Sequence, residues 1–206
     1  MGSIQFLSDS QIESEFQRKF YPDKIVDDYT SLYIFDEGEA LQKLIHALKY
    51  GNKFKIGISL GHQLGHYKKK IVNSWNADFI IPIPLFTLKR VERGFNQSFY
   101  IAKGLSKETK IPIKNNLVKR TKNTISQTTL SLAERKENIN EAFILNKIGK
   151  VQDKRVIILD DIITTGATVS ELAKTLKNFG ALKVFTISVA TPPISHSIGS
   201  TDSKNR

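Results

Sequence analysis

The stretch from Val156 to Thr168 constrains the fold of this chain more than any other part of its sequence. It opens with four consecutive apolar residues, a run typical of a strand buried on both faces. A stripe of apolar residues at helical spacing follows, formed by Val169, Leu172, Leu176 and Phe179. Gly180 comes directly after it and ends the predicted helix. Residues 183–189 again have the composition of a strand. Strand, helix and strand in this order form a βαβ unit, which predicts a parallel sheet with a right-handed crossover.

Further elements before this unit extend the same α/β pattern. Two short apolar runs predict strands, and three stretches with apolar residues at helical spacing predict helices. The predicted strands cover residues 31–35 and 78–84, and the predicted helices cover residues 41–48, 56–72 and 96–105. Glycines at 57, 61 and 65 lower the helical propensity of the second helix. We therefore expect a Rossmann-like α/β fold, with a central, mostly parallel sheet flanked by helices.

The domain prediction places one domain over residues 31–192. Residues 1–30 are polar and weakly periodic, so we predict an N-terminal arm or a degenerate appendage there. Residues 193–206 are predicted to be a disordered tail. The polar stretch from Arg120 to Asn140 is predicted to be a long excursion with a short helix near its end. Long loops inside a domain are usually functional or disordered, and we expect this one to cover a site as a mobile hood.

An excess of basic residues narrows the classes of function. The chain has 31 Lys and Arg against 20 Asp and Glu, a net charge of +11. This charge either attracts the phosphates of nucleotides or nucleic acids, or simply keeps a lysine-rich surface soluble. There is no cysteine, which excludes disulfides and thiolate metal sites, so no zinc is expected. The sequence has neither a long apolar segment nor a secretory signal, so we expect a cytoplasmic protein without membrane insertion.

Two carboxylates and a loop of small residues follow the buried strand. Asp160 and Asp161 come where that strand ends, at the sheet edge where open α/β folds bind ligands. The loop from Thr164 to Thr168 then opens a helix, whose first backbone N–H groups and dipole favour an anion. Gly166 permits a close backbone approach. One side of this loop suits a phosphate and the other suits sugar hydroxyls, about the span of a ribose 5-phosphate.

The same segment resembles the signature with which type I phosphoribosyltransferases bind 5-phosphoribosyl 1-pyrophosphate (PRPP). The match covers thirteen positions: an apolar strand, two acids, two apolar residues and Thr-Thr-Gly-Ala-Thr. The resemblance implies that Asp160 and Asp161 are catalytic residues that bind the ribose 2- and 3-hydroxyls. It also implies Mg²⁺, bound together with PRPP and without a direct protein ligand. The implied 5-phosphate site consists of Thr164, Thr165, Gly166, Ala167 and Thr168.

Three more segments, in the same order along the chain, are similar to the ComF family. These are residues 43–50, residues 81–98 with Ile-Pro-Ile-Pro-Leu and Arg-Gly-Phe-Asn-Gln-Ser, and a third set comprising Arg120, Thr124, Gln127, Arg135, Asn138, Ala142 and Phe143. This family comprises phosphoribosyltransferase-like proteins linked to DNA uptake (competence), and the likeness covers roughly residues 31–192. Many members open with a four-cysteine zinc ribbon, which this chain cannot form because it has no cysteine.

The resemblance implies a second half of the site, for pyrophosphate. The turn after Pro84 leaves the carboxyl end of another strand, facing the same crevice, and arginines there fit phosphate oxygens. The candidates on this side and on the hood are Pro84, Leu85, Arg90, Arg93, Asn96, Gln97, Arg120, Gln127 and Arg135. Lys49 and Tyr50 either contact a ligand or only end their helix. His62 and His66, one turn apart, are weak metal candidates because no acidic residue adjoins them.

Two hypotheses of function stay open at this stage. The first is an enzyme that transfers a phosphoribosyl group in a Mg²⁺-dependent reaction. The second is a non-catalytic module that senses a nucleotide or handles single-stranded DNA, with Phe95, Phe99 and Tyr100 as candidates for base stacking. The expected partners are PRPP or a related phosphoribosyl ligand, single-stranded DNA and a helicase of the competence machinery. The acceptor is not identified.

Overall fold

The computed structural model describes residues 4–36, 40–51, 53–121, 142–146 and 150–193. Its helices are α1 (Asp9–Lys19), α2 (Ala40–Tyr50), α3 (Phe54–Ser74), α4 (Thr87–Arg93), α5 (Gln97–Thr109) and α6 (Ala167–Asn178). Its strands are β1 (Asp28–Ile34), β2 (Phe79–Pro82), β3 (Val118–Arg120), β4 (Phe143–Leu145), β5 (Arg155–Ile162) and β6 (Lys183–Thr191). None of the helices in these ranges has the length and apolarity needed to cross a membrane.

The central sheet has four parallel strands in the order β1-β6-β5-β2. Side chains of β5 alternate between two apolar layers, as its continuous apolar run requires. Val156 and Ile158 belong to the layer that contains α1 and α6. Ile157 and Leu159 belong to the layer that contains α2, α3 and α5. Full burial of each such side chain contributes about 1.5–3 kcal/mol. The predicted parallel sheet flanked by helices is confirmed.

The first thirty residues contribute a helix and the first three residues of β1 to this fold. Ser8 begins α1 with a capping box, in which the Ser8 side chain and the Gln11 side chain each accept the other's backbone N–H. Leu7, Ile12 and Phe20 are buried in the same layer as α6. The boundary predicted at residue 30 falls inside β1, which begins at Asp28, three residues before the predicted strand.

Close packing of α3 against α5 explains two of the glycines. A Cβ atom added at Gly61 would lie 2.0 Å from the carbonyl oxygen of Ile101, and one added at Gly104 would lie 2.2 Å from that of Ile58. Only glycine lets the two backbones approach this closely. The predicted helix over residues 56–72 is confirmed despite its glycines, which lie against α5.

A small antiparallel pair, β3 and β4, flanks the predicted hood. Val118 pairs with Leu145, and Arg120 pairs with Phe143. Arg120 is thus the last residue of a strand and not a loop residue. Residues 122–140 of the predicted hood, with Gln127, Arg135 and the short helix, lie outside the described residues, as does the predicted tail after Pro193.

Candidate functional site

The acidic pair lies at the carboxyl end of β5, within hydrogen-bonding register of β6. Asp160 is opposite Ser188, and the strand continues to Ile162, so the pair is part of the strand and does not follow it. Asp161 is buried, whereas Asp160 is half-buried and lines a small pocket with the loop that follows. The acidic pair therefore lies at the carboxyl edge of the parallel sheet, as predicted.

Asp160 is held by α5 and by its own neighbour. Its Oδ1 accepts the Ser98 hydroxyl at 3.0 Å and the backbone N–H of Asp161 at 2.9 Å. Burial, together with the charge of Asp161, raises the pKa of Asp160 to about 8. The raised pKa favours the protonated form of this carboxyl, which can donate to a sugar oxygen, whereas its ionised form can only accept from a hydroxyl.

Asp161 has the opposite electrostatic character. Burial alone would raise its pKa, but the ammonium of Lys49, with Nζ 2.7 Å from Oδ2, outweighs burial and keeps the pKa below its ordinary value. Two adjacent carboxyls whose environments push their pKa values apart can take different roles toward one ligand. The sequence suggested that Lys49 contacts a ligand or only ends its helix, and neither interpretation included this ion pair with Asp161.

The loop between β5 and α6 has several backbone donors without acceptors among the described residues, although Gly166 itself is buried. Thr164 and Thr165 are exposed, and Gly166 has φ +81°, a left-handed conformation that glycine adopts without strain. In the described part of the chain, the N–H groups of Thr164, Thr165 and Gly166 have no acceptor, and that of Ala167 has only the Thr165 hydroxyl at 3.4 Å. They surround a pocket of about 50 Å³, a site suited to a phosphate group.

A larger cavity of about 380 Å³ lies beside the start of α5. Five of the predicted pyrophosphate and hood residues line it: Pro84, Leu85, Arg90, Asn96 and Arg120. Other lining residues, which the predicted set did not include, are Phe95, Phe99, Tyr100, Asn115, Asn116, Lys119 and Asn146. The cavity therefore combines cationic, amide and aromatic groups, a combination that suits a phosphorylated ligand carrying a base.

Asn96 connects this cavity with the acidic pair. Its side-chain oxygen caps α5 by accepting the Ser98 N–H at 3.0 Å, and its amide donates to the Ile83 carbonyl at 2.9 Å. Because Ser98 in turn donates to Asp160, the end of β2 and the start of α5 are fixed relative to the acidic pair. Gln97 is buried, and its Oε1 has no hydrogen-bond partner among the described residues.

Arg93 departs from the predicted arrangement. The turn predicted after Pro84 contains the short helix α4, with Arg90 and Arg93 in its last turn. Arg90 is exposed at the cavity, but the Arg93 guanidinium lies 5.3 Å from the centre of the Tyr50 ring, a cation–π contact. Arg93 and Tyr50 thus join α4 to α2, and Arg93 is not among the residues that line either pocket.

The weak metal candidate is not supported. His62 Nδ1 lies 2.8 Å from Glu108 of α5, a helix-to-helix contact. No group of three or more potential metal ligands occurs within the described ranges.

Known proteins are similar to this chain in the part that contains α5, the acidic pair and the loop before α6. The phosphoribosyl transferase domain family matches residues 96–197, which include α5 and the loop before α6. Competence protein F of Haemophilus influenzae is 35% identical over 150 residues, covering 71% of this chain and 66% of that protein. The DNA utilization protein YhgH of Shigella flexneri is 34% identical over 154 residues, covering 73% of this chain and 67% of that protein. The chain spans about two thirds of the length of these curated relatives.

Solved structures give more distant matches. The glutamine PRPP amidotransferase from B. subtilis, complexed with ADP and GMP, aligns with a TM-score of 0.42 at 22% identity. The alignment covers 64% of this chain and 25% of that one. The family match and the parallel order of the sheet confirm the predicted type I phosphoribosyltransferase fold.

Proposed function

Since this chain belongs to the ComF family of phosphoribosyltransferase-like proteins, we propose that it binds PRPP, with the 5-phosphate in the loop Thr164–Thr168. Asp160 and Asp161 then bind the ribose hydroxyls. The observation that carries this proposal is the row of backbone donors without acceptors in the described ranges, shortly after two carboxyls whose pKa values are shifted in opposite directions. Free backbone donors suit a phosphate, and carboxyl oxygens suit the hydroxyls of a vicinal diol.

The pyrophosphate of the ligand is proposed to lie toward the 380 Å³ cavity. Arg90 and Arg120 both line that cavity, and guanidinium groups bind phosphate oxygens through paired hydrogen bonds. Asn96 and Ser98 hold this side of the site at a fixed position relative to Asp160. The ligand would thus span the two pockets, with its sugar over the acidic pair.

The proposed reaction is transfer of the phosphoribosyl group. The bond from ribose C1 to the pyrophosphate oxygen breaks, a nitrogen nucleophile bonds to C1, and pyrophosphate leaves with the electron pair. In this scheme the chain supplies position and charge complementarity and no covalent intermediate. Asp161 stays ionised, so it accepts a hydrogen bond from one ribose hydroxyl. Asp160 can exchange a proton with the neighbouring ribose hydroxyl.

Mg²⁺ is the cofactor we propose with PRPP. Its site needs oxygen ligands and retains several waters, commonly with one or two carboxylates and the phosphates of the substrate. Asp160 and Asp161 fit this donor set, whereas the described residues offer no larger group of carboxylates or imidazoles. When bound, Mg²⁺ would neutralise pyrophosphate charge, and the carboxyls would reach it through the sugar or through water.

Calorimetric titration with PRPP and MgCl₂ tests this proposal. We expect wild-type protein to bind one PRPP and Asp161→Asn to bind at least about 100-fold more weakly, a loss of about 2.7 kcal/mol. Asp153→Asn makes the same charge change at an exposed position after β4 and should bind like wild type. Absence of wild-type binding, or wild-type affinity in Asp161→Asn, contradicts the proposal.

Handling of single-stranded DNA is the second candidate function, and one aromatic cluster favours it. Phe54, Phe95 and Phe99 all pack around the Tyr100 ring, with ring centres 5.0–5.5 Å from it. Lys103 Nζ lies 4.9 Å from the centre of Phe99 and 5.2 Å from that of Tyr100. Aromatic rings beside cations in a basic protein are the elements of a surface on which unpaired bases stack.

Fluorescence anisotropy with a labelled oligothymidine tests this second candidate. We expect affinity to fall steeply with added salt, and Phe99→Ala to weaken binding by about 1–3 kcal/mol, the value of one stacked base. Tyr21→Ala removes an exposed aromatic ring at the end of α1 and serves as the control. An affinity that changes neither with added salt nor with Phe99→Ala counts against this function.

A further inference from the structure

The end of α1 lies directly behind the loop that we propose to hold the phosphate. Lys19 is the last residue of α1, and its side chain is only 1% exposed. Its Nζ donates to the backbone carbonyl of Ile163 at 2.7 Å and to the hydroxyl of Thr191. Ile163 is the residue immediately before the loop, so a buried ammonium from a distant part of the sequence contacts the point where the loop begins.

The carbonyl of Ile163 determines the direction of the next donor. In a planar trans peptide the C=O and the following N–H point in opposite directions. The Ile163 oxygen faces inward to Lys19 and accepts the Thr191 hydroxyl at 2.9 Å, so the N–H of Thr164 faces the other way. The Ile163 N–H is also fixed, because it donates to Ala190 at 3.1 Å. The first phosphate donor is therefore oriented from behind.

The buried charge of Lys19 has a partner on the same helix. Glu15 Oε2 lies 2.7 Å from Lys19 Nζ and 2.7 Å from the guanidinium of Arg18. Glu15 is itself buried. Burying a charged pair is costly, and the other hydrogen bonds of this ammonium go to Ile163 at the start of the loop and to Thr191.

Gly166 provides an independent contact between α1 and the same loop. A Cβ atom at this position would lie 2.8 Å from the Phe20 ring and 3.3 Å from Cβ of Lys19. The loop backbone thus rests on the last turn of α1 at its middle as well as at its start. Two separate contacts make residues 19 and 20 the rear wall of the loop.

We propose that Lys19 is a positioning residue for the phosphate-binding loop, acting through the carbonyl of Ile163, and that the end of α1 forms the wall on which the loop is built. The proposal rests on the proposed phosphate site. Lys19 does not touch the ligand in this account. Its effect is to orient the Thr164 N–H, so its loss weakens phosphate binding in protein that remains folded.

The test compares a variant that replaces the buried pair with one that only weakens the fold. Glu15→Leu/Lys19→Met removes both charges together, which avoids an unpaired buried carboxylate. Val72→Ala shortens a buried side chain of α3, in the opposite layer of the molecule, and is the stability control. The readouts are the calorimetric Kd for ribose 5-phosphate and the amide ¹H–¹⁵N shift of Thr164 without ligand, both on protein shown to be folded by circular dichroism.

The expected result is a Kd raised at least about 10-fold in the double variant, with a displaced Thr164 amide signal, and neither change in Val72→Ala. If the double variant fails to fold, Thr191→Val and Thr191→Ser replace it, and only the valine variant should weaken binding. Unchanged Kd and unchanged Thr164 signal in the folded variants overturn the positioning role. If wild-type protein does not bind ribose 5-phosphate, the phosphate site is overturned. The Thr164 amide signal of the variants then still decides whether Lys19 orients the loop.

Discussion

Removal of the Lys49 ammonium should cost stability in proportion to how deeply its ion pair is buried. The Lys49 side chain is 22% exposed and that of Asp161 is 6% exposed, at a separation of 2.7 Å. Breaking a fully buried pair costs about 3–5 kcal/mol, whereas an exposed pair contributes about 0–1 kcal/mol. This intermediate pair should therefore contribute about 2–3 kcal/mol, and Lys49→Met should lower the free energy of unfolding by that amount at pH 7.5.

The pH dependence of this loss has a definite sign. In wild type the pKa of Asp161 is below its ordinary value, so the stabilisation is present above the unfolded pKa and is lost as pH falls through the folded pKa. In Lys49→Met, burial raises the pKa of Asp161 without the opposing charge of the ammonium, and only the hydrogen bonds with Asp160 and with the backbone of Ile162 still lower it. The deficit of the variant should then be largest at high pH and shrink as the solution becomes acidic enough to protonate Asp161.

Urea denaturation between pH 5 and pH 8 measures both effects. The set comprises wild type, Lys49→Met, Asp161→Asn and the double variant, in which the amide leaves no buried charge and the coupling energy can be extracted. Lys43→Met removes an exposed lysine from the same helix and should change stability by less than about 0.5 kcal/mol. A deficit for Lys49→Met below that value, or one that does not vary with pH, refutes the argument.

Three further predictions concern other parts of the site and its support. Asp160→Asn should raise the free energy of unfolding at pH 8 by at least about 1.4 kcal/mol, the value of one pKa unit. The reason is that a carboxyl whose pKa is raised in the folded state makes the protein less stable as pH rises. In urea melts the gain over wild type should vanish by about pH 4. Arg90→Ala should weaken PRPP at least about 10-fold but leave ribose 5-phosphate unaffected, and equal losses in calorimetry would remove Arg90 from the pyrophosphate side. Gly61→Ala should destabilise by about 1–3 kcal/mol in thermal or urea melts, since its Cβ meets a backbone oxygen at 2.0 Å, whereas a neutral effect would show that α3 and α5 separate easily.

The β5–α6 unit could be predicted from sequence because its information is local. Four apolar residues define the buried strand, and the acids and small residues that follow need no partner elsewhere in the chain to be recognised. The observed strand begins at Arg155 and α6 at Ala167, close to the predicted positions. The same locality explains why the loop from Thr164 to Thr168 and the acidic pair could be assigned to one edge of the sheet.

The residues that pack behind the carboxyl edge of the sheet could not be predicted in the same way. Lys49 and Asp161 are far apart in sequence, and nothing local to Lys49 distinguishes an ion-paired lysine from one that ends a helix. Helix α1 buries Glu15 and Lys19 along with its few apolar residues, so its periodicity is weak even though it packs on the core. Its capping box, Ser8 with Gln11, was the one local signal that could have revealed a helix start there.

The predicted arginines show the limit of assigning roles by residue type. Arg90 and Arg93 are three positions apart on one short helix, and either could be read as a phosphate contact. Only the fold decides that Arg90 faces the cavity while Arg93 covers the Tyr50 ring. The aromatic partner, supplied by α2, lies on a different element, so no spacing rule within the α4 segment records it.

The central claim is tested most directly by following backbone amide resonances during titration with ribose 5-phosphate. The account predicts that the largest ¹H shifts occur at Thr164, Thr165 and Gly166, whose donors have no acceptor within the described ranges, and that Asp161→Asn weakens the titration while Asp153→Asn does not. Shifts confined to the aromatic cluster around Tyr100, or spread over the lysine-rich surface without saturation, would contradict a phosphate site at the start of α6.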